Sequence, residues 1–189
     1  MMKELLKTHY HFSNYQIAQL EFFFKTLFSE LSKILFIGFL FRNELDIYAI
    51  TMLTLCLLRT STGGLHCKTY WGCLFASTTY IVLALKVLPL IMLPTALKAL
   101  LALLCAPINY FVGPVTSDVH MPLTEKVIKK SRIKAACFII LFALLIYAFP
   151  ENKYMIPVFW ITITHTFQLV LAKIRKIRKG GRKNEAETD

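Results

Sequence analysis

Apolar positions in this chain come in long blocks separated by short polar ones. Ser13-Asn14-Tyr15-Gln16 has the form of a capping box, and Ile17, Leu20, Phe24, Leu27, Phe28, Leu31 and Leu35 follow at helical spacing, with Gln19, Lys25 and Glu30 off the stripe. The pattern predicts an N-terminal amphipathic helix, at residues 1–30, that either packs on the rest of the protein or lies along a membrane interface. Six apolar stretches come next, at about 31–41, 45–58, 70–88, 90–112, 135–149 and 155–172. Several are shorter than the roughly 20 residues of a straight membrane span and Lys98 interrupts one, so tilting and snorkelling are needed. Pro89 and Pro94 bracket a turn that makes a hairpin of the third and fourth stretches. The expected fold is all-α: a polytopic membrane helical bundle of about six membrane helices plus the amphipathic helix. A single integral membrane domain spans 1–189, with 174–189 a basic, then acidic, flexible tail.

Composition supports the membrane. Hydrophobic residues make up 56% of the chain and charged residues 17%, with a mean hydropathy of +0.55, against about 45–50% and about 25% in soluble domains. The net charge of +11 does not point to nucleic acid, because the basic residues sit at the ends of apolar runs. Anionic membrane lipid and an acidic peptide are the expected partners. Residues 1–12 are polar, with Lys3, Glu4 and Lys7, and carry no cleavable leader pattern, so the N-terminus is expected to remain, in the cytoplasm. With both termini inside, 18 of the 22 Lys and Arg fall on the inner side and only residues 42, 86, 98 and 153 on the outer. That orientation puts 59–73 and 113–134 on one cytoplasmic face of a multi-pass protein in the cell membrane. Five cysteines (56, 67, 73, 105 and 137) show no paired spacing, and no disulfide framework is expected.

The stretch RTSTGGLHCKTYWGC, residues 59–73, breaks the apolar pattern. Polar groups and irregular backbone persist at membrane depth only where they line a cavity or reach an interface. Gly63-Gly64 ends one helix, His66 follows the break, and Cys73 opens the next apolar helix. A helix N-terminus with Arg59 and Lys68 nearby favours the thiolate, and an imidazole can accept the thiol proton. On one straight helix, His66 and Cys73 would stand about 10.5 Å apart, so a direct dyad requires a bend between them. On the residues alone, Cys73 is either a nucleophile or an inert packing thiol, the ordinary role of Cys56, Cys105 and Cys137. His66-Cys67 with Cys73 lacks the spacing of a zinc site, and no metal or cofactor is expected. His165 reads as a hydrogen-bonded interior histidine. His120, in a cytoplasmic loop, could approach the site, and Ser61, Thr62, Asn109 and Asp118 are candidates for orienting His66.

Arg59, Gly63-Gly64, His66 and Cys73, in the order R-x3-GG-x-H-x6-C, resemble the accessory gene regulator B (AgrB) family of membrane cysteine endopeptidases. The six apolar stretches and the proline-rich loop at 114–122, followed by Lys129-Lys130, extend the resemblance over nearly the whole chain. Cys67 stands where small residues are common, and Val119-His120-Met121-Pro122 departs from the asparagine and basic residue that often precede that proline. The resemblance implies that Cys73 attacks a peptide bond of an AgrD-like precursor with His66 as general base. Release of the C-terminal tail leaves a thioester, which an internal cysteine or serine of the precursor takes up to close a thiolactone or lactone. It also implies a homodimer, and it gives Arg59, Gly63, Gly64, Lys68, Lys129 and Lys130 supporting or substrate-binding roles. A peptide exporter without proteolytic activity is the alternative from another class, and a membrane zinc protease a third.

Overall fold

The capping box forms as its residues dictate: the Ser13 N–H donates to Gln16 Oε1 at 2.9 Å, and the Gln16 N–H to Ser13 Oγ at 3.2 Å. From this cap, helix α1 runs unbroken over Asn14–Leu40 in the computed structural model, which describes residues 13–64, 69–115 and 124–186. The amphipathic segment and the first apolar stretch are therefore one helix of 27 residues. The chain divides into two units, 1–42 and 43–189, and α1 is the described part of the first.

The second unit is a bundle of five helices. Here α2 covers Leu45–Thr62, α4 Thr95–Val112, α5 Glu125–Ala148 and α6 Met155–Ala186. Between α2 and α4, α3 covers Tyr70–Val82 and continues through a π segment, Leu83–Val87, and a 3-10 turn, Leu88–Leu90. Pro89 lies in that turn and Pro94 caps α4, so the prolines do make the third-to-fourth reversal. The last turns of α3 then pack on α6. All regular structure among the described residues is helical. Four helical segments are long and apolar enough to cross a membrane: Tyr70–Leu90, Thr95–Val112, Glu125–Ala148 and Met155–Arg178. The sequence suggested about six. Helix α2, with Asp46, Arg59 and its hydroxyl residues, is not one of the four.

Helix α6 is the central member, packing against α2, α4, α5 and the final turns of α3. Of its apolar window 56% is buried, against 22–28% for the other three, so it is the helix the rest assemble around. The outer surface is correspondingly apolar, with Trp71, Phe75, Phe111 and Leu144 all exposed. That face suits hydrocarbon rather than water. Hydroxyl groups inside the bundle satisfy themselves by bonding back to the carbonyl four residues earlier: Thr51 to Ile47, Thr54 to Ile50, Thr78 to Leu74 and Thr162 to Val158. Threonine-rich helices can therefore enter an apolar phase without unpaired donors.

Ion pairs fasten one end of the bundle. Lys86, near the end of α3, meets Glu44 at 2.5 Å, and Lys153, ahead of α6, pairs with Asp46 in the first turn of α2, where the Tyr154 hydroxyl also donates at 3.1 Å. The hydrogen bond to the Asp46 side chain, helped by Tyr154, raises the Lys153 pKa above its ordinary 10.5. The starts of α2 and α6 and the end of α3 thus share this end. The end of α2 and the segment after α4 meet at the other, toward which the start of α3 also points.

Candidate active site

Helix α2 stops at Thr62 because the next residue turns the wrong way for a helix. Gly63 has φ +74°, and a β-carbon there would lie 2.3 Å from the Val115 carbonyl oxygen. Only glycine fits both the angle and the space. The Gly63 N–H donates to Arg59 O at 2.8 Å, and the Val115 N–H donates to Thr62 O at 2.9 Å, forming an isolated parallel bridge between Gly63 and Val115. One residue on, a β-carbon on Gly64 would meet Arg59 Nε at 3.2 Å, so the Arg59 side chain lies over this glycine. The Gly113 carbonyl accepts from Arg132 Nε of α5 at 2.7 Å. The structure therefore brings Arg59, Gly63 and Gly64 together and holds the segment after α4 beside them.

Cys73 stands at the start of α3. Thr69 caps that helix, its hydroxyl accepting from the Gly72 N–H at 3.2 Å, and the Cys73 N–H donates to Thr69 O at 3.1 Å. The thiol belongs to the first helical turn, at the positive end of the helix dipole. Its residue is 7% exposed, whereas Trp71 and Phe75 on either side face outward at 75% and 76%. Cys73 accordingly faces the bundle interior. None of the four described cysteines is in a disulfide; Cys105 is buried, and Cys56 and Cys137 are on the outer surface. His66, Lys68, Cys67, Asp118 and His120 lie outside the described residues.

A cluster of buried polar side chains joins α2, α4 and α6 beneath the α2 exit. Thr62 Oγ1 donates to Leu58 O at 2.8 Å and stands 2.8 Å from His165 Nε2. Asn109 Nδ2 donates to Cys105 O at 2.8 Å and to Thr166 Oγ1 at 2.7 Å, while the Thr166 hydroxyl donates to Thr162 O at 2.9 Å. Thr62, Asn109, Thr162, His165 and Thr166 are all buried, and Asn109 Oδ1 and His165 Nδ1 are buried atoms with no hydrogen-bond partner among the described residues. His165 is the interior histidine expected from the sequence. Among the residues put forward to orient His66, Ser61 gives its hydroxyl to Leu57 O, Thr62 to Leu58 O, and Asn109 its amide to Cys105 and Thr166. Their donors are thus committed elsewhere. The signal for the cluster was present in the run Thr162, His165, Thr166, whose i, i+3, i+4 spacing puts three polar groups on one helix face.

With α6 as a ruler, the depth of the site can be read. The Tyr80 hydroxyl of α3 donates to Ile161 O at 3.2 Å, and Thr62 meets His165 one turn further along α6. Cys73 is seven residues, about 10 Å, back along α3 from Tyr80 toward the same end. That places it within about a turn of the level of Thr62. Beyond this level α6 continues from His165 to Arg178, about 20 Å, carrying Lys173, Arg175, Lys176 and Arg178. Helix α5 has about 10 Å of helix ahead of Arg132, carrying exposed Lys126, Lys129 and Lys130. The α2 exit and Cys73 are therefore recessed between basic helix ends. Among the described residues no three of His, Cys, Asp and Glu are grouped to hold a metal ion.

Four helices long and apolar enough to cross a membrane suggest a multi-pass membrane protein, with the polar turn and the buried thiol toward one end of its bundle. The family model for accessory gene regulator B matches residues 3–169, and a curated AgrB-like protein of Clostridium beijerinckii is 31% identical over 137 residues, covering 70% of this chain and 68% of that one. The chain belongs to the AgrB family, which places it in the accessory gene regulator quorum-sensing system. No solved structure matches it.

Proposed function

We propose that the protein is a membrane cysteine endopeptidase that removes the C-terminal tail of an AgrD-like precursor peptide and promotes closure of its ring. Cys73 Sγ, having given its proton to His66, attacks the carbonyl carbon of the scissile bond. The C–N bond breaks, the departing amine takes the proton from His66, and an acyl-thioester remains on Cys73. An internal thiol or hydroxyl of the peptide then attacks the same carbonyl, yielding a thiolactone or lactone and restoring the Cys73 thiol. Exchange of one thioester for another nearly conserves the acyl energy. A serine nucleophile would have to build a thiolactone from a more stable oxygen ester.

The observation that carries this reading is the placement of Cys73: it lies in the first turn of α3, buried on the inward face, near the level of the Gly63-Gly64 turn from which the chain proceeds to His66. A recessed site suits an intermediate that must meet an intramolecular nucleophile before water. In this reading both termini and the site face the cytoplasm. Arg59, Gly63 and Gly64 shape the turn; Lys68, Lys129 and Lys130, with anionic lipid, draw the precursor in. The enzyme works as a homodimer. Reconstitution in liposomes with a candidate precursor tests it: Cys73→Ala should abolish tail release while inserting normally, and mass spectrometry of the wild type should detect an acyl adduct on Cys73. Cleavage that survives Cys73→Ala would leave the exporter reading in its place.

A further inference from the structure

We propose that His165, a buried residue of α6 remote in sequence from the motif, is a positioning residue that fixes the α2 exit and through it the turn leading to His66. The proposal rests on the cysteine-endopeptidase reading for its catalytic consequence. The first observation is the direction of the hydrogen bonds. The Thr62 hydroxyl has one proton and lies 2.8 Å from Leu58 O, 3.5 Å from Gly63 O and 2.8 Å from His165 Nε2; with that proton on Leu58 O, it is His165 Nε2 that carries the hydrogen between the two side chains. His165 Nδ1 has no partner among the described residues, which leaves it without an acceptor there for a second proton. In that arrangement the ring is a donor aimed at one hydroxyl.

The second observation is what Thr62 does. Its carbonyl accepts from the Val115 N–H at 2.9 Å, and the next residue is Gly63 at φ +74°. Among the described residues the exit of α2 is held by three bonds: Gly63 N–H to Arg59 O within its own helix, Val115 N–H to Thr62 O from the segment after α4, and the bond between His165 Nε2 and Thr62 Oγ1 from α6. Of these three, the last ties the exit to the central helix. His165 is fully buried and Thr62 nearly so, at 0% and 1% exposure, so this bond has no competition from water. A rigid imidazole on the most buried helix sets the position of Thr62, and the two glycines that follow carry that position toward His66. A misplacement of about 1 Å is enough to cost about a hundredfold in turnover.

The experiment measures tail cleavage by purified, liposome-reconstituted protein in four variants, with precursor concentration varied. His165→Phe and Thr62→Val each remove one side of the bond while keeping shape. Each should lower kcat by about ten- to a hundredfold with KM little changed. The double variant should be no worse than either alone. His165→Gln, which keeps an N–H donor near the Nε2 position, should recover most of the rate. Amide exchange at Gly63 and Val115 should quicken in His165→Phe and return toward wild type in His165→Gln. Equal losses in Phe and Gln variants, multiplying losses in the double variant, or a rise in KM alone would overturn the proposal. If His165→Phe fails to fold, Thr62→Val, an isosteric change, carries the same test. Cys73→Ala runs in parallel: cleavage surviving in it refutes the thioester mechanism, and amide exchange at Gly63 and Val115 then decides the role of His165 by itself.

Discussion

At the end of the bundle where α2 and α6 begin, Glu44 meets Lys86 and Asp46 meets Lys153 through long, exposed side chains. At the opposite end Thr62 meets His165 and Val115, and Gly63 packs directly on the Val115 carbonyl, all through short or rigid groups. Exposed ion pairs are weak and tolerate movement, since water and side-chain entropy offset most of their attraction. Buried neutral hydrogen bonds and backbone contacts permit one geometry. The contrast suggests that the ion-paired end needs only to be kept together, whereas the glycine-rich end has to be kept in place.

The sharpest way to break that contrast is Gly63→Ala. Its methyl group would meet the Val115 oxygen at a backbone angle alanine avoids, so a loss of about 2–4 kcal/mol in stability is expected, read as a lower melting temperature in detergent. Gly64→Ala should act differently. Its methyl group meets the flexible end of Arg59 and no backbone, so stability should fall by less than about 1 kcal/mol while precursor cleavage drops as Arg59 is displaced. Comparable melting losses in the two variants would remove the distinction between them. The smallest effect belongs to Lys153→Met at the ion-paired end. Lys153 has a raised pKa in the folded protein, so the contribution of its pair is complete below 10.5 and fades as pH climbs through the raised value. The melting curves of wild type and variant should differ slightly and constantly between about pH 6 and about pH 9 and converge above about pH 10.5; a difference already shrinking at neutral pH would contradict the assignment.

Apolar blocks in the sequence mark where the chain can enter lipid, and they do so well for α3 and α4. They mark helix ends poorly. Glu125 to Lys134 is strongly basic, yet it forms the first turns of α5, because lysine, arginine and glutamate are good helix formers whatever their polarity. The same applies to α6, which stays helical past the end of the apolar stretch at 172 to Ala186, through Gly180 and Gly181. These charged extensions create the recess, so hydropathy alone could not reveal it. The break at Gly63-Gly64 and the opening of a helix before Cys73 were readable from local chemistry. The bond from Thr62 to His165 was not, because 103 residues separate the two and only packing around α6 brings them together.

The widened segment of α3 at Leu83–Val87 changes how that helix is to be counted. A π turn takes in an extra residue, shifting everything after it by one place around the axis. Cys73, Leu74 and Ile81 of the α-helical part are buried, as are Ala84 and Leu85 within the segment itself, so the shift in phase falls on Leu88–Leu90, the turn that packs on α6. Deleting any one residue of the segment would restore regular winding and rotate one half of α3 against the other. The part that bears Cys73 and the turn that docks on α6 could then no longer keep their present relation.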